Sequence, residues 1–214
     1  GSELNKTMQA QIKKKDTYKM GIDTLFNLRR QLMQTLVSFK EDLCREDFNA
    51  IPFINADGYH SKTIAYSIWH IFRIEDIVAH TVITEDEQVF FTGNYQVRIN
   101  SPIITTGNEL VKQQIADFSK QLNLEELYSY IFEVRESTEK ILERFSYDEL
   151  KWKIPDERKG YLKSLNVVNC DEKAIWLIDY WCNKDICGLI QMPFSRHWIM
   201  HTEACLRIKN KMHS

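Results

Sequence analysis

Over long stretches of this chain, apolar side chains return every three or four residues with almost nothing to interrupt them. That periodicity commits it to packed α-helices. Only seven glycines and four prolines occur in 214 residues. From Ile22 the apolar positions are Leu25, Phe26, Leu32, Met33, Leu36, Phe39 and Leu43, and the first proline is Pro52, which predicts a first long helix. After a break over Asn49–Gly58, Ser61 is placed to cap a second, strongly apolar helix through Ile64, Ile68, Trp69, Phe72 and Ile77 to about Ile83. Thr84–Gly107 then turns polar and β-branched, and reads as a long connection containing a short hairpin near Val89–Ile99.

Asn108 opens a short helical stretch, and Asn123 with Glu126 makes a capping-box-like start to a third long helix. Its apolar face runs through Leu127, Tyr130, Ile131, Val134, Thr138, Ile141, Leu142 and Phe145. Trp152–Gly160 reads as irregular. Asp171 can cap an aromatic helix that Gly188 and Pro193 terminate, and the last helix starts near Ser195 and continues through Ile208. The expected fold is all-α: a four-helix bundle with a long connection after helix two and one or two extra short helices. Residues 1–214 are expected to form one domain, with 1–20 as an extended or poorly ordered lead-in.

Composition removes several function classes. Lys+Arg 28 against Asp+Glu 30 leaves a net charge of -2, without the basic excess that binding nucleic-acid phosphates requires. No run approaches the ~20 apolar residues of a membrane span. The five cysteines, at 44, 170, 182, 187 and 205, include no CxxC spacing and read as reduced thiols of a cytoplasmic protein rather than a disulfide framework or a cysteine zinc site. Gly1-Ser2 in place of an initiator methionine reads as a cloning remnant, and the lysine-rich start lacks the apolar region of a secretory leader. Neither a glycine-rich phosphate loop nor a GxSxG elbow occurs.

The histidines carry the chemistry. His197 and His201 are four residues apart in Arg196-His197-Trp198-Ile199-Met200-His201. Four helical residues turn through ~400°, so both rings leave nearly one face. Phe194, Met200, Ala204 and Ile208 flank that face and make it apolar, directed into the bundle. Imidazoles are costly to bury when protonated, but as neutral rings they are good ligands for zinc, nickel and similar divalent ions. An HxxxH pair alone is weak evidence, since ordinary core histidines also bond carbonyls. His70 strengthens it, because it sits mid-helix near Tyr66, Ile74 and Ile77 and can supply a third ligand. Three imidazoles from two helices leave coordination positions free, as in catalytic sites. His60, His80 and His213 read as structural or solvated.

In this order the features resemble the DinB-like (YfiT-like) superfamily of metal-binding four-helix bundles. Trp69-His70 matches its histidine in the second helix, and His197 with His201 matches the HxxxH pair of its last helix. Leu124-Glu125-Glu126-Leu127, Glu133-Val134-Arg135 and Ser146-Tyr147-Asp148-Glu149-Leu150 are similar to the family's third helix and following turn. The resemblance covers roughly Ile22 to Ile208, and departs at Thr84–Gly107 and in the aromatic helix Asp171–Cys187. It implies a homodimer, and a metal-dependent enzyme joining a low-molecular-weight thiol such as bacillithiol or mycothiol to a small-molecule substrate. The ion's role would be to lower the thiol's pKa.

Three functions stand against one another at this point. The leading one is a divalent-metal-dependent thiol S-transferase with His70, His197 and His201 as ligands. The second is a non-catalytic bundle in which the ion holds helices together. The third uses no metal and makes Trp152, Trp176, Trp181 and Trp198 a partner surface, although tryptophans at helical spacing usually belong to the core. Cys182 and Cys187 read as inert thiols, and Arg73 as a surface ion-pairing residue in preference to a contact for an anionic cofactor.

Overall fold

The computed structural model describes residues 1–214, all of whose regular elements are helical; the only β-type pairing is an isolated bridge between Lys153 and Asp185. In chain order the α-helices are α1 (Ser2–Ile12), α2 (Tyr18–Asp42), α3 (Arg45–Asn49), α4 (Ile64–Asp76), α5 (Val89–Thr92) and α6 (Tyr95–Ile99). They continue as α7 (Gln113–Gln121), α8 (Leu124–Glu143), α9 (Glu157–Ser164), α10 (Glu172–Cys182), α11 (Ile186–Gln191) and α12 (His197–Met212). None is long and apolar enough to cross a membrane.

Local chemistry sets the starts of the helices that carry the site. The Thr63 hydroxyl accepts from the Tyr66 amide at 3.0 Å and starts α4, two residues after the expected cap. Ser61 turns back to the Gly58 carbonyl instead. Every residue from Ile64 to Asp76 is buried, the charged Arg73, Glu75 and Asp76 included. Asn123 Oδ1 caps α8 by accepting from Glu126, and Asp171 caps α10. After α4 the backbone widens into a π-helical stretch, Ile77–Thr84, and a second one, Met192–Arg196, leads into α12. The core divides into one cluster around Trp69, Phe72, Tyr130 and Trp198 and another around Ile77, Trp181 and Leu189.

Five further expectations are corrected. The aromatic helix α10 stops at Cys182, and Gly188 lies inside α11 rather than ending it. Residues 2–12 form α1 rather than an extended lead-in, with Met8 and Ile12 buried against α2. The contact closes at Gly21, where a Cβ would lie 2.5 Å from Ile12 Cγ2. Near Val89–Ile99 there is no hairpin but α5 and α6, because the buried Asp76 carboxylate accepts from the Val89 and Phe90 amides at 2.9 and 2.8 Å and winds the chain into a turn. Trp152–Gly160 is not irregular throughout, since α9 begins within it. Arg73 is fully buried rather than at the surface: it donates to the Ile104 carbonyl and to Tyr130 Oη and lies 3.5 Å from Asp76 Oδ2.

A second buried ion pair ties four elements together. Arg29 of α2 meets both oxygens of Glu75 at 2.7 and 2.9 Å, and donates to the Phe194 carbonyl at 3.0 Å. The indole of Trp198 donates to the same carboxylate at 2.8 Å while its ring lies 4.1 Å beneath the guanidinium. Trp181 and Trp198 are core residues, whereas Trp152 and Trp176 are exposed, and all five cysteines are free.

Candidate metal centre

His70 from the middle of α4 and His197 and His201 from the first two turns of α12 converge in the interior. All three are buried, and one potential ligand atom from each lies within 4.8 Å of the others. Ring centroids are 5.0 Å apart for His70–His197, 4.9 Å for His70–His201 and 4.5 Å for His197–His201. A tetrahedral ion with Zn–N bonds of ~2.0–2.1 Å needs nitrogens roughly 3.3 Å apart, inside that 4.8 Å outer limit.

The hydrogen bonds indicate how the rings are prepared. His70 Nδ1 lies 2.7 Å from the Thr106 carbonyl oxygen, an acceptor, so Nδ1 carries the proton and Nε2 keeps its lone pair. His197 Nδ1 and His201 Nδ1 are buried without any hydrogen-bond partner. An orphaned buried nitrogen costs about 1–3 kcal/mol, a penalty that an ion bound through Nδ1 would remove and one bound through Nε2 would not. Burial is the main cause that pushes all three imidazoles below their ordinary range: His70 goes to about 4 against the opposing Thr106 hydrogen bond, and His197 and His201 go well down, helped by the neighbouring rings. They are neutral at pH 7, as ligation requires.

A pH dependence of metal-free stability follows. Above the unfolded pKa of ~6.5 the rings are neutral in both states and cost nothing. Below it the unfolded chain takes up protons that the folded chain refuses, so stability falls with pH until the folded values are reached. His70 alone accounts for about 3 kcal/mol between pH 6.5 and 4. Denaturant titrations of chelated protein from pH 7.5 to 4 should show this fall, and His70→Gln should make it shallower; equal slopes would contradict the assignment.

The other histidines are engaged elsewhere. His80 is buried with Nδ1 2.7 Å from Asp86 and Nε2 2.8 Å from Ser137, and His213 pairs with Asp47 at 2.9 Å. His60 packs on Tyr59 outside the cluster. No carboxylate or thiol joins the three rings, and on one side they border a cavity of about 560 Å³. From α10, Trp176, Leu177, Tyr180 and Trp181 line it.

Sequence reasoning missed the strap that holds α4 in place. Tyr66, His70 and Arg73 lie along one face of α4 and donate to the carbonyls of Gly107, Thr106 and Ile104 respectively. Thr106 is itself held by its amide bonding the Val167 carbonyl. Nothing local in the sequence marks a carbonyl that acts on a ring 36 residues away. Comparison with known proteins adds no further constraint: no family model and no curated protein matches this chain, which leaves the three imidazoles and the cavity beside them as the features that speak to its role.

Proposed function

We propose that the chain is a divalent-metal-dependent thiol S-transferase of the DinB-like type, acting in a reducing cytoplasm, with His70, His197 and His201 as its metal ligands. The observation that carries this reading is a set of three buried, neutral imidazoles with no fourth protein ligand, open to a cavity of substrate size. The four-helix-bundle part of the reading is supported by packing: α4 contacts α8 and α12, and α2 contacts the same two, so the four longest helices close a square.

A zinc or nickel ion held there would supply a Lewis acid that keeps a thiol at an open position deprotonated at neutral pH. An ordinary thiol of pKa ~8.5 is only a few per cent thiolate at pH 7, so a drop of ~1.5 units raises the reactive fraction to about half. The protein's own contributions are orientation and dryness. Thr106 fixes the His70 tautomer, Tyr66 stacks 5.4 Å from that ring, and the aromatic wall of α10 gives an electrophile somewhere to lie. In the transfer, sulfur forms a bond to the electrophilic carbon, the leaving group departs with its electron pair, and the thiol proton goes to solvent.

The test offers bacillithiol, mycothiol, glutathione, coenzyme A and cysteine in turn with a chlorinated fluorogenic acceptor. Metal-restored protein should turn over with at least one thiol, and chelated protein and His201→Ala should fall to the uncatalysed rate. No turnover with any thiol, together with a marked drop in melting temperature on chelation, would replace the transferase with the structural-ion reading. That reading has its own support, because the three rings join α4 to α12.

A further inference from the structure

The cavity beside the imidazoles contains charge that the metal reading leaves unused. Three charged side chains other than histidine line it: Asp57, Lys62 and Lys173. Asp57 is exposed, and Lys173 is half exposed and pairs with Asp171 at 3.3 Å. Lys62 differs from both. It lies just before α4 and is partly buried, and its ammonium sits over the Tyr66 ring, 5.5 Å from the centroid, with no carboxylate in ion-pair range. Tyr66 in turn stacks on His70, with an interplanar angle of 13°.

We propose that Lys62 is the anion-recognition residue of this cavity, and that the small molecule bound there carries one carboxylate joined to an apolar or aromatic body. This deepens the reading of the cavity as a substrate pocket beside a metal centre. A partly desolvated ammonium without a counter-charge is unfavourable, and an incoming carboxylate removes that penalty. Burial lowers the Lys62 pKa from its ordinary value, as expected of a cation that has lost water and gained no anion. The lining includes no arginine, and Lys173 is already paired, so the site offers one point charge rather than the several donors a phosphate prefers.

The rest of the molecule is read from the apolar lining. Trp176, Leu177, Tyr180 and Trp181 of α10 and Met200 of α12 supply that surface. Trp176 is half exposed, and a ligand body lying against it would cover part of that surface. Asn108 lines the same cavity, and its buried side-chain oxygen has no partner, leaving one acceptor for a ligand N–H or O–H.

The experiment compares 3-phenylpropionate with its uncharged amide, 3-phenylpropanamide, by calorimetric titration of the full-length protein, both metal-loaded and chelated. Wild type should bind the acid about tenfold tighter than the amide in both forms. Lys62→Met should lose that preference while keeping amide affinity, metal content and melting temperature, and Lys62→Arg should retain most of it. Equal binding of acid and amide, no binding of the acid at millimolar concentration, or a preference that survives Lys62→Met would overturn the proposal. A preference that disappears on chelation with Lys62 intact would also overturn it, because the carboxylate would then be on the ion. If a His197→Ala, His201→Ala protein keeps wild-type metal content while the Lys62-dependent preference persists, the metal reading fails and this one stands.

Discussion

Replacing His197 and His201 together by alanine should reduce bound divalent metal from about one ion per chain to none, measured by elemental analysis of protein purified without a metal-affinity step. The two residues supply two of the three candidate ligands, and His70 alone is an ordinary monodentate imidazole. Even disturbing groups that merely orient ligands typically costs 10–100-fold in affinity, and removing two ligands removes the site. The metal-free fold should change much less. Both Nδ1 atoms are buried without partners, so truncation relieves that penalty while leaving a cavity, two effects of similar size and opposite sign. The diagnostic pattern is lost metal with retained helix content. Wild-type metal content in the double variant would refute the site.

The largest stability effect should come from Glu75→Ala. That carboxylate is fully buried and receives two hydrogen bonds from Arg29 and one from the Trp198 indole. Its removal leaves the guanidinium buried with only the Phe194 carbonyl and the partly exposed Glu139, 3.2 Å away, for company. Breaking such a pair from one side costs about 3–5 kcal/mol. For a chain of this length that is a melting-temperature drop of the order of 10 °C. Removing both charges, as Arg29→Met with Glu75→Leu, should recover much of the loss, since no unpaired ion remains. The exposed Glu136–Lys140 pair on α8 supplies the contrast: Glu136→Ala should move the transition by less than the scatter between preparations. A Glu75→Ala protein as stable as wild type would mean that the pair is not formed in solution.

How much of this could be read before the structure depends on whether the signal was periodic. His70, His197 and His201 were legible because helices repeat: an HxxxH spacing fixes a face, and apolar neighbours fix which way it points. The site's polar supports were not legible. Thr106 acts through a backbone oxygen that every residue possesses, and Arg73 looks like a surface residue until Ile104 and Tyr130 are folded around it. The stretch around Val89–Ile99 misled for a similar reason: its β-branched residues suit a strand, but the decisive group is the Asp76 carboxylate in a different helix. The first helix was missed because only Met8 and Ile12 are buried within it, and its clearest trace is a glycine inside the neighbouring helix.

The strap along α4 bears on how such a chain can change over generations. Most surface turns accept extra residues cheaply, since doubling a loop costs only about 0.6 kcal/mol in closure entropy. Ile104–Gly107 has no such freedom. Its carbonyls serve Arg73, His70 and Tyr66 in reverse order, so inserting or deleting one residue shifts three buried donors out of register together. The lining from α10 carries no comparable constraint, because Trp176 and Tyr180 reach the cavity with side chains that can be exchanged one at a time. Descendants of this sequence can thus reshape the cavity by point substitutions in α10 while inheriting, at fixed length, the four residues that strap α4.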